Sequence, residues 1–182
     1  QANREVEHKY TSMSLLSGEH GYVVNIIGLA ASGKTTVARP LARHLDGINL
    51  NMGDFYRLYT VSVLEAAKGD LDLLDDTDFT TSVITSTRIE CTAGRLILNG
   101  RRISERSLRR RARTEHLKRI KKPARVRTTI DKEAIKVISR IAIRTPVILT
   151  NRGPYPGALF DFFLDVPEQE RVRRAMKRSG RD

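Results

Sequence analysis

A chain of 182 residues, 40% of them hydrophobic, is long enough to close one core and bury about 70% of its unfolded surface. It has no apolar run near the ~18 residues that span a bilayer, its first twenty residues lack the apolar heart of a signal peptide, and its single cysteine, Cys91, excludes a disulfide framework and fits a reducing, cytoplasmic setting. The net charge of +12 is concentrated: the stretch from Arg101 to Arg127 holds thirteen Lys or Arg against Glu105 and Glu115, while the rest carries 20 basic and 19 acidic residues, so polyanions are the natural partners, nucleotides or RNA first; the lack of a long apolar run leaves no membrane partner expected.

Residues 1–20 read as a polar tail, and the opening on Gln1 instead of Met reads as a trimmed or excerpted chain. The first strand is Tyr22-Val23-Val24-Asn25-Ile26-Ile27, β-branched and scarcely alternating, as in a central strand covered on both faces. It ends at Gly28. A helix follows with Val37, Leu41 and Leu45 as its apolar stripe and Gly47 as its stop. Pro40 lies inside this helix and removes a backbone donor there, so a kink or a cost of roughly 3 kcal/mol is expected. Ile48-Asn49-Leu50 reads as a short strand and 55–68 as a helix stopped by Gly69. The acidic stretch 70–78 reads as a solvated loop, because it lacks the glycine and closing glutamate of a calcium loop.

Arg95-Leu96-Ile97-Leu98, Asn99-Gly100 and Arg101-Arg102-Ile103 spell a tight hairpin, and Arg88-Ile89-Glu90-Cys91-Thr92 supplies a third strand. Ser104 caps a basic helix expected to run to Arg119. The next helix carries Ile130, Ala134, Val137, Ile138 and Ile141 on one stripe. Pro146-Val147-Ile148-Leu149-Thr150 is a buried-type strand, a Gly/Pro-rich turn spans 153–157, 160–166 is another strand, and a helix begins at Pro167. Strands alternating with helices imply an α/β fold with a parallel sheet, and the antiparallel hairpin with its basic helices reads as an insertion.

Gly28-Leu29-Ala30-Ala31-Ser32-Gly33-Lys34-Thr35 fits G-x-x-x-x-G-K-[ST] throughout, with a buried strand before it and an amphipathic helix after it. Glycines let the backbone curl its N–H groups toward phosphate oxygens, and the helix start adds its positive end. Lys34 would reach the β- and γ-phosphates and the Thr35 hydroxyl a magnesium ion. The stretch 28–36, including Gly28, Ala30, Ala31, Ser32, Gly33, Lys34, Thr35 and Thr36, is therefore the candidate ATP site.

The loop as Gly-x-Ala-Ala-Ser-Gly-Lys-x-Thr-Val-Ala-Arg resembles that of bacterial cytidylate kinase. Gly53-Asp54-Phe55-Tyr56-Arg57 resembles that family's Ser-Gly-Ala-x-Tyr-Arg segment, and Leu98-Asn99-Gly100-Arg101-Arg102-Ile103-Ser104-Glu105 its Leu-Asn-Gly-x-x-Val-Thr-Glu hairpin. Pro123-Ala124-Arg125-Val126-Arg127 is similar to its Ile-Pro-x-Val-Arg. Phe163-Leu164-Asp165, Pro167-Glu168 and the arginines from Arg171 to Arg174 are similar to its last core strand and arginine-bearing lid. The resemblance implies a nucleoside-monophosphate-kinase-like parallel sheet with flanking helices, residues 21–60 and 129–182 forming the core and the start of the lid. It also implies an inserted, basic monophosphate-binding lobe of hairpin and helices at 61–128. The implied activity is transfer of the ATP γ-phosphoryl group to CMP or dCMP with Mg²⁺, by a monomer. Gly53, Asp54, Tyr56, Arg57, one of Arg109 or Arg110, and Arg152 would hold the acceptor, with Tyr56 against the base or against the lobe. Lys34, Arg152, Arg173 and Arg174 would act on the transferring group, where a planar guanidinium grips two oxygens. More lid, a fifth strand and a closing helix would follow Asp182.

Several positions depart from the family's pattern. Its strand-end Asp-Gly-Arg-Asp stands here as Thr150-Asn151-Arg152-Gly153, and the acid and serine before the Tyr-Arg segment are Asn51 and Met52. Magnesium favours anionic oxygens, and Asp54 is the nearby residue that would replace the lost acid. The arginines from Arg106 to Arg113 exceed what one monophosphate requires. The alternative reading is therefore a divergent P-loop protein with weak or no kinase activity, binding nucleotide or RNA through the basic stretch that Arg101 opens and Arg127 closes.

Overall fold

The structure is a computed structural model, and residues 21–179 are described; the expected tail at 1–20 and the last three residues lie outside them. The described residues divide into two compact units, one of 21–50 with 141–179 and one of 51–140. No helix among the described residues is long and apolar enough to cross a membrane.

The first unit is built on a four-stranded sheet of β1 (Val23–Ile27), β2 (Ile48–Asn51), β6 (Val147–Asn151) and β7 (Phe160–Phe163), in the order β2-β6-β1-β7. β1 pairs parallel with β6, Val24 opposite Ile148, and with β7, Ile26 opposite Phe162. All five β1 residues are buried, as the unalternating run requires of a central strand. α1 (Lys34–His44) lies against this sheet, and Val24, Ile26, Ala38, Ala42 and Ile148 form one buried cluster. The helix face differs from the expected stripe: Val37 is exposed, and Ala38 and Ala42 are the residues buried, with Leu41 and Leu45 packed beside them. A helix this close to a sheet has room only for small side chains at its line of contact, which hydrophobicity alone does not reveal. β7 stops at Phe163 instead of reaching residue 166, and α7 (Glu168–Ser179) follows.

The second unit centres on α2 (Met52–Ala67), which buries residues all round its circumference, Phe55, Leu58, Tyr59, Val61 and Val63 among them. Against it pack a single 3₁₀ turn (Asp72–Leu74), α3 (Thr77–Ser86), α4 (Glu105–Arg111) and α5 (Thr114–Ile120). α3 is a helix where no helix is expected from the sequence. Its Thr- and Ser-rich composition is a poor helix former, but Asp76 caps it by accepting from the Asp78 and Phe79 amides at 2.9 and 3.0 Å, and Ile84 is fully buried. β3 (Ile89–Thr92), β4 (Arg95–Leu98) and β5 (Arg101–Arg102) form an antiparallel meander. Both of its turns, Ala93-Gly94 and Asn99-Gly100, hold two residues at positive φ, the geometry that matches strand twist in a two-residue loop. The basic helix expected from Ser104 to Arg119 breaks in two: Ala112 is buried with ψ 70°, and Arg113 is extended and starts α5. α6 (Ala124–Ala142) buries Ile130, Ala134, Val137 and Ile138 of the expected stripe; Ile141 is only half-buried, and Val126, outside the expectation, is buried as well.

Candidate nucleotide site

Residues 28–33 form the turn between β1 and α1. A Cβ on Gly28 would lie 2.7 Å from the Ser32 hydroxyl oxygen and 3.0 Å from the Leu164 carbonyl, so the chain closes here only around a glycine. Ala31 sits at φ 64° and Gly33 at φ 94°, and Gly33 starts α1 with no side chain bonded across the helix end and no acid in the first turn. The positive end of the helix is thereby left for an outside anion. The Ser32 hydroxyl is buried without a hydrogen-bond partner among the described residues, a second polar group in want of a ligand. Lys34 donates from Nζ to the Gly28 and Leu29 carbonyls at 2.5 and 2.7 Å, which folds its ammonium back along the turn. Thr35 and Thr36 are exposed on the first turn of α1.

Arg174, on α7, reaches this turn: its Nη1 lies 3.5 Å from the Ser32 carbonyl and 3.6 Å from the position a Gly33 Cβ would take. Its Nε donates to Glu170 at 2.7 Å, and Arg173 forks onto the same carboxylate at 2.8 and 3.1 Å. Hydrogen bonds from Arg173, then Arg174, hold the Glu170 carboxyl down at about 2. Its ionised clasp on the two arginines is therefore complete above pH 4.5 and opens only as pH falls through about 2. Arg173 makes no hydrogen bond to the turn among the described residues, and Arg171 bonds the Val166 carbonyl at 3.1 Å. Of Arg171, Arg173 and Arg174, then, Arg174 is the one brought to the phosphate loop. Arg152 follows β6 with its side chain exposed and no carboxylate in ion-pairing reach among the described residues.

The strand ends are electrically neutral. Thr150 is buried and its hydroxyl donates to the Leu50 carbonyl at 3.3 Å. The Asn151 side chain accepts from the Arg152 amide at 2.7 Å. Among the described residues no cluster of three His, Cys, Asp or Glu side chains is placed to hold a metal. The loop, with its unpartnered Ser32 hydroxyl and the nearby Lys34 and Arg174, suits a phosphate chain, and Thr35 offers a magnesium ion one neutral hydroxyl.

In the second unit Asn51 caps α2, its Oδ1 accepting from the Gly53 amide at 2.8 Å, and Met52 is buried. The two departures from the family pattern have thus become a helix cap and a core residue. Arg57 bonds Asp54 Oδ1 and the Gly53 carbonyl, each at 3.0 Å. Burial raises the Asp54 carboxyl, against the pull of Arg57 and then Arg109. Gly53, Asp54, Arg57 and Arg109 are thus gathered at the start of α2. Arg109 is itself tied to Glu105 at 2.6 Å; Arg110 is exposed with no ion pair among the described residues. The half-buried Tyr56 donates its hydroxyl to Asp131 on α6 at 2.8 Å, and burial, then that hydrogen bond, raises the phenol above its ordinary range. Asp131 was not legible as a site residue, because nothing local in the sequence couples it to a residue 75 positions away.

A parallel sheet with a glycine-rich loop closing its central strand onto a helix defines a P-loop α/β protein. The family model for cytidylate kinase matches residues 24–181, and the chain belongs to that family. A cytidylate kinase from Caldicellulosiruptor saccharolyticus is 26% identical over 161 residues, covering 83% of this chain and 66% of its own length. One from Caldanaerobacter subterraneus is 29% identical over 155 residues, covering 83% and 65%. The chain therefore spans just under two thirds of these curated relatives. The crystal structure of TT1252 from Thermus thermophilus aligns over 88% of this chain and 74% of its own, with 23% identity and a TM-score of 0.46.

Proposed function

We propose that the protein is an ATP-dependent nucleoside monophosphate kinase acting on CMP or dCMP. The observation that carries the reading is the turn 28–33, open at the start of α1 with an unpartnered buried hydroxyl and two cations, Lys34 and Arg174, at its rim. A phosphate chain would replace the loop carbonyls as the partner of Lys34, and the loop amides and Arg174 would meet the remaining oxygens. Arg57, Arg109 or Arg110, Arg152, Gly53, Asp54 and Tyr56 are the residues we assign to the acceptor. An acceptor phosphate oxygen attacks the γ-phosphorus, the bond to the bridging oxygen breaks, and ADP leaves with the electron pair. Such transfer needs positioning and positive charge more than a covalent catalyst. Thr35 is the side chain we assign to hold a magnesium ion, which would screen the charge of the triphosphate; the location we assign is cytoplasmic.

One observation favours a second reading, a divergent relative that binds nucleotide with little transfer: the neutral, backbone-tied Thr150 and Asn151. A coupled assay with ATP, Mg²⁺ and each of CMP, dCMP, UMP and AMP separates the two. We expect ADP and CDP from CMP, and Lys34→Ala to lower kcat/KM by about 10²-fold or more. Turnover no faster than buffer with all four acceptors, while ATP still binds, establishes the second reading.

A further inference from the structure

The second unit holds a cationic hollow that the kinase reading does not use. It has a volume of about 360 Å³ and is lined by Arg101, Arg102, Ile103, Ser104, Ser107 and Arg111. Two of its arginines are fixed by one carboxylate: Glu65 of α2 accepts from Arg101 at 2.6 Å and from Arg111 at 2.5 Å. Their hydrogen bonds overcome its burial and hold the Glu65 carboxyl below the ordinary range. Three guanidinium groups against one carboxylate leave the hollow cationic. Arg102 has no ion pair among the described residues.

The surplus extends past the hollow. Along α4, Ser107 and Arg111 face the hollow, and Arg106 and Arg110 form the neighbouring i,i+4 row. Arg106, Arg110, Lys118 and Lys121 likewise have no carboxylate in ion-pairing reach among the described residues. Elsewhere in the basic stretch acids do partner the cations: Arg119 pairs with Asp72 and Asp75, and Arg125 with Asp78. At the hollow and on α4, Arg102, Arg106 and Arg110 remain unneutralised, more charge than one phosphate uses, and this calls for a ligand with repeated phosphates. A stable protein interface, or insertion of a helix into a lipid surface, would also need exposed apolar anchors. Of the large hydrophobic residues exposed among the described residues, Leu71 alone falls within 51–140. With no Trp in the chain, bases have few stacking platforms, so recognition rests on the backbone.

We infer that this hollow and the adjoining α4 row bind the phosphodiester backbone of single-stranded RNA, with little preference for sequence. The hollow shares no residue with the nucleotide loop, and the α4 row shares with the kinase reading only Arg110, one of the two arginines assigned there to the acceptor. The test is fluorescence anisotropy of a labelled U20 oligonucleotide titrated with the protein across a series of salt concentrations. We expect log Kd to rise linearly with log salt. The exposed double variant Arg102→Glu/Arg106→Glu should bind at least ~10-fold more weakly, with a slope smaller by roughly 1.4 for two lost phosphate contacts. Lys34→Ala should bind the RNA as wild type does, and saturating ATP should not displace it, whatever the kinase assay gives. The inference is overturned if the double variant binds like wild type, if ATP competes the oligonucleotide off, or if phosphatidylserine vesicles capture the protein while the RNA does not.

Discussion

At the scale of single residues, the site replaces acids by neutral caps and surrounds the remaining acid with arginine. Asp54 shows the balance most directly. Burial raises its carboxyl, and Arg57 and Arg109 pull it back. A carboxyl raised in the folded state disfavours its own ionisation there: stability is greatest below the unfolded pKa and falls as pH rises through the folded one. Removing the first of the two opposing cations, by Arg57→Ala, should move the Asp54 pKa further up, which carboxyl-resolved NMR titration will read directly. An unchanged or lowered value would mean that Arg57 does not bear on this carboxyl. Asn51 and Thr150 mark the other side of the exchange. Each occupies a place where the family pattern has an acid, and each spends its side chain on the backbone, Asn51 on the Gly53 amide and Thr150 on the Leu50 carbonyl.

At the scale of elements, α1 carries the clearest conflict between local chemistry and tertiary demand. Pro40 lies inside the helix, where it deprives the Thr36 carbonyl of its regular donor. The helix nonetheless runs from Lys34 to His44, because Ala38 and Ala42 are locked against β1 and β6 by burial. Pro40 itself is exposed, so Pro40→Ala removes the defect without opening a cavity. Urea unfolding should show the variant more stable by about 1–3 kcal/mol; a loss of stability would mean that the ring makes contacts that outweigh the missing hydrogen bond. The split of the basic helix into α4 and α5 has the opposite origin. Charge patterning runs unbroken from Glu105 to Arg119, but Ala112 is buried outside the helical region and the chain restarts at Arg113, with Leu108 buried on one helix and Ile120 on the other. Burial of that kind is decided by what the segment packs on, here α2, and not by the segment itself.

At the scale of the whole molecule, the net charge of +12 and the two cations at the loop, Lys34 and Arg174, would meet the oxygens of a triphosphate bound as proposed. If these cations and not a carboxylate-held ion carry the binding, ATP affinity measured by calorimetry in EDTA should fall within about three-fold of that in Mg²⁺. A loss of tenfold or more in EDTA would locate a metal ligand that the neutral strand ends do not supply.

The sequence by itself determined what short-range physics writes in consecutive residues. The phosphate loop is legible because a backbone turn around an anion requires glycine at fixed places, the hairpin because Asn99-Gly100 tolerates positive φ, and the central strand because burial on both faces removes alternation. The basic stretch is legible by counting. Tertiary structure alone decided the rest: that Ala38 and not Val37 meets the sheet, that Thr77–Ser86 is helical, that Tyr56 answers to Asp131, and that Glu65 fixes Arg101 and Arg111 around a hollow. Each of these depends on a partner distant in the chain, and the free energy of burying or pairing two groups appears only once folding has set them side by side.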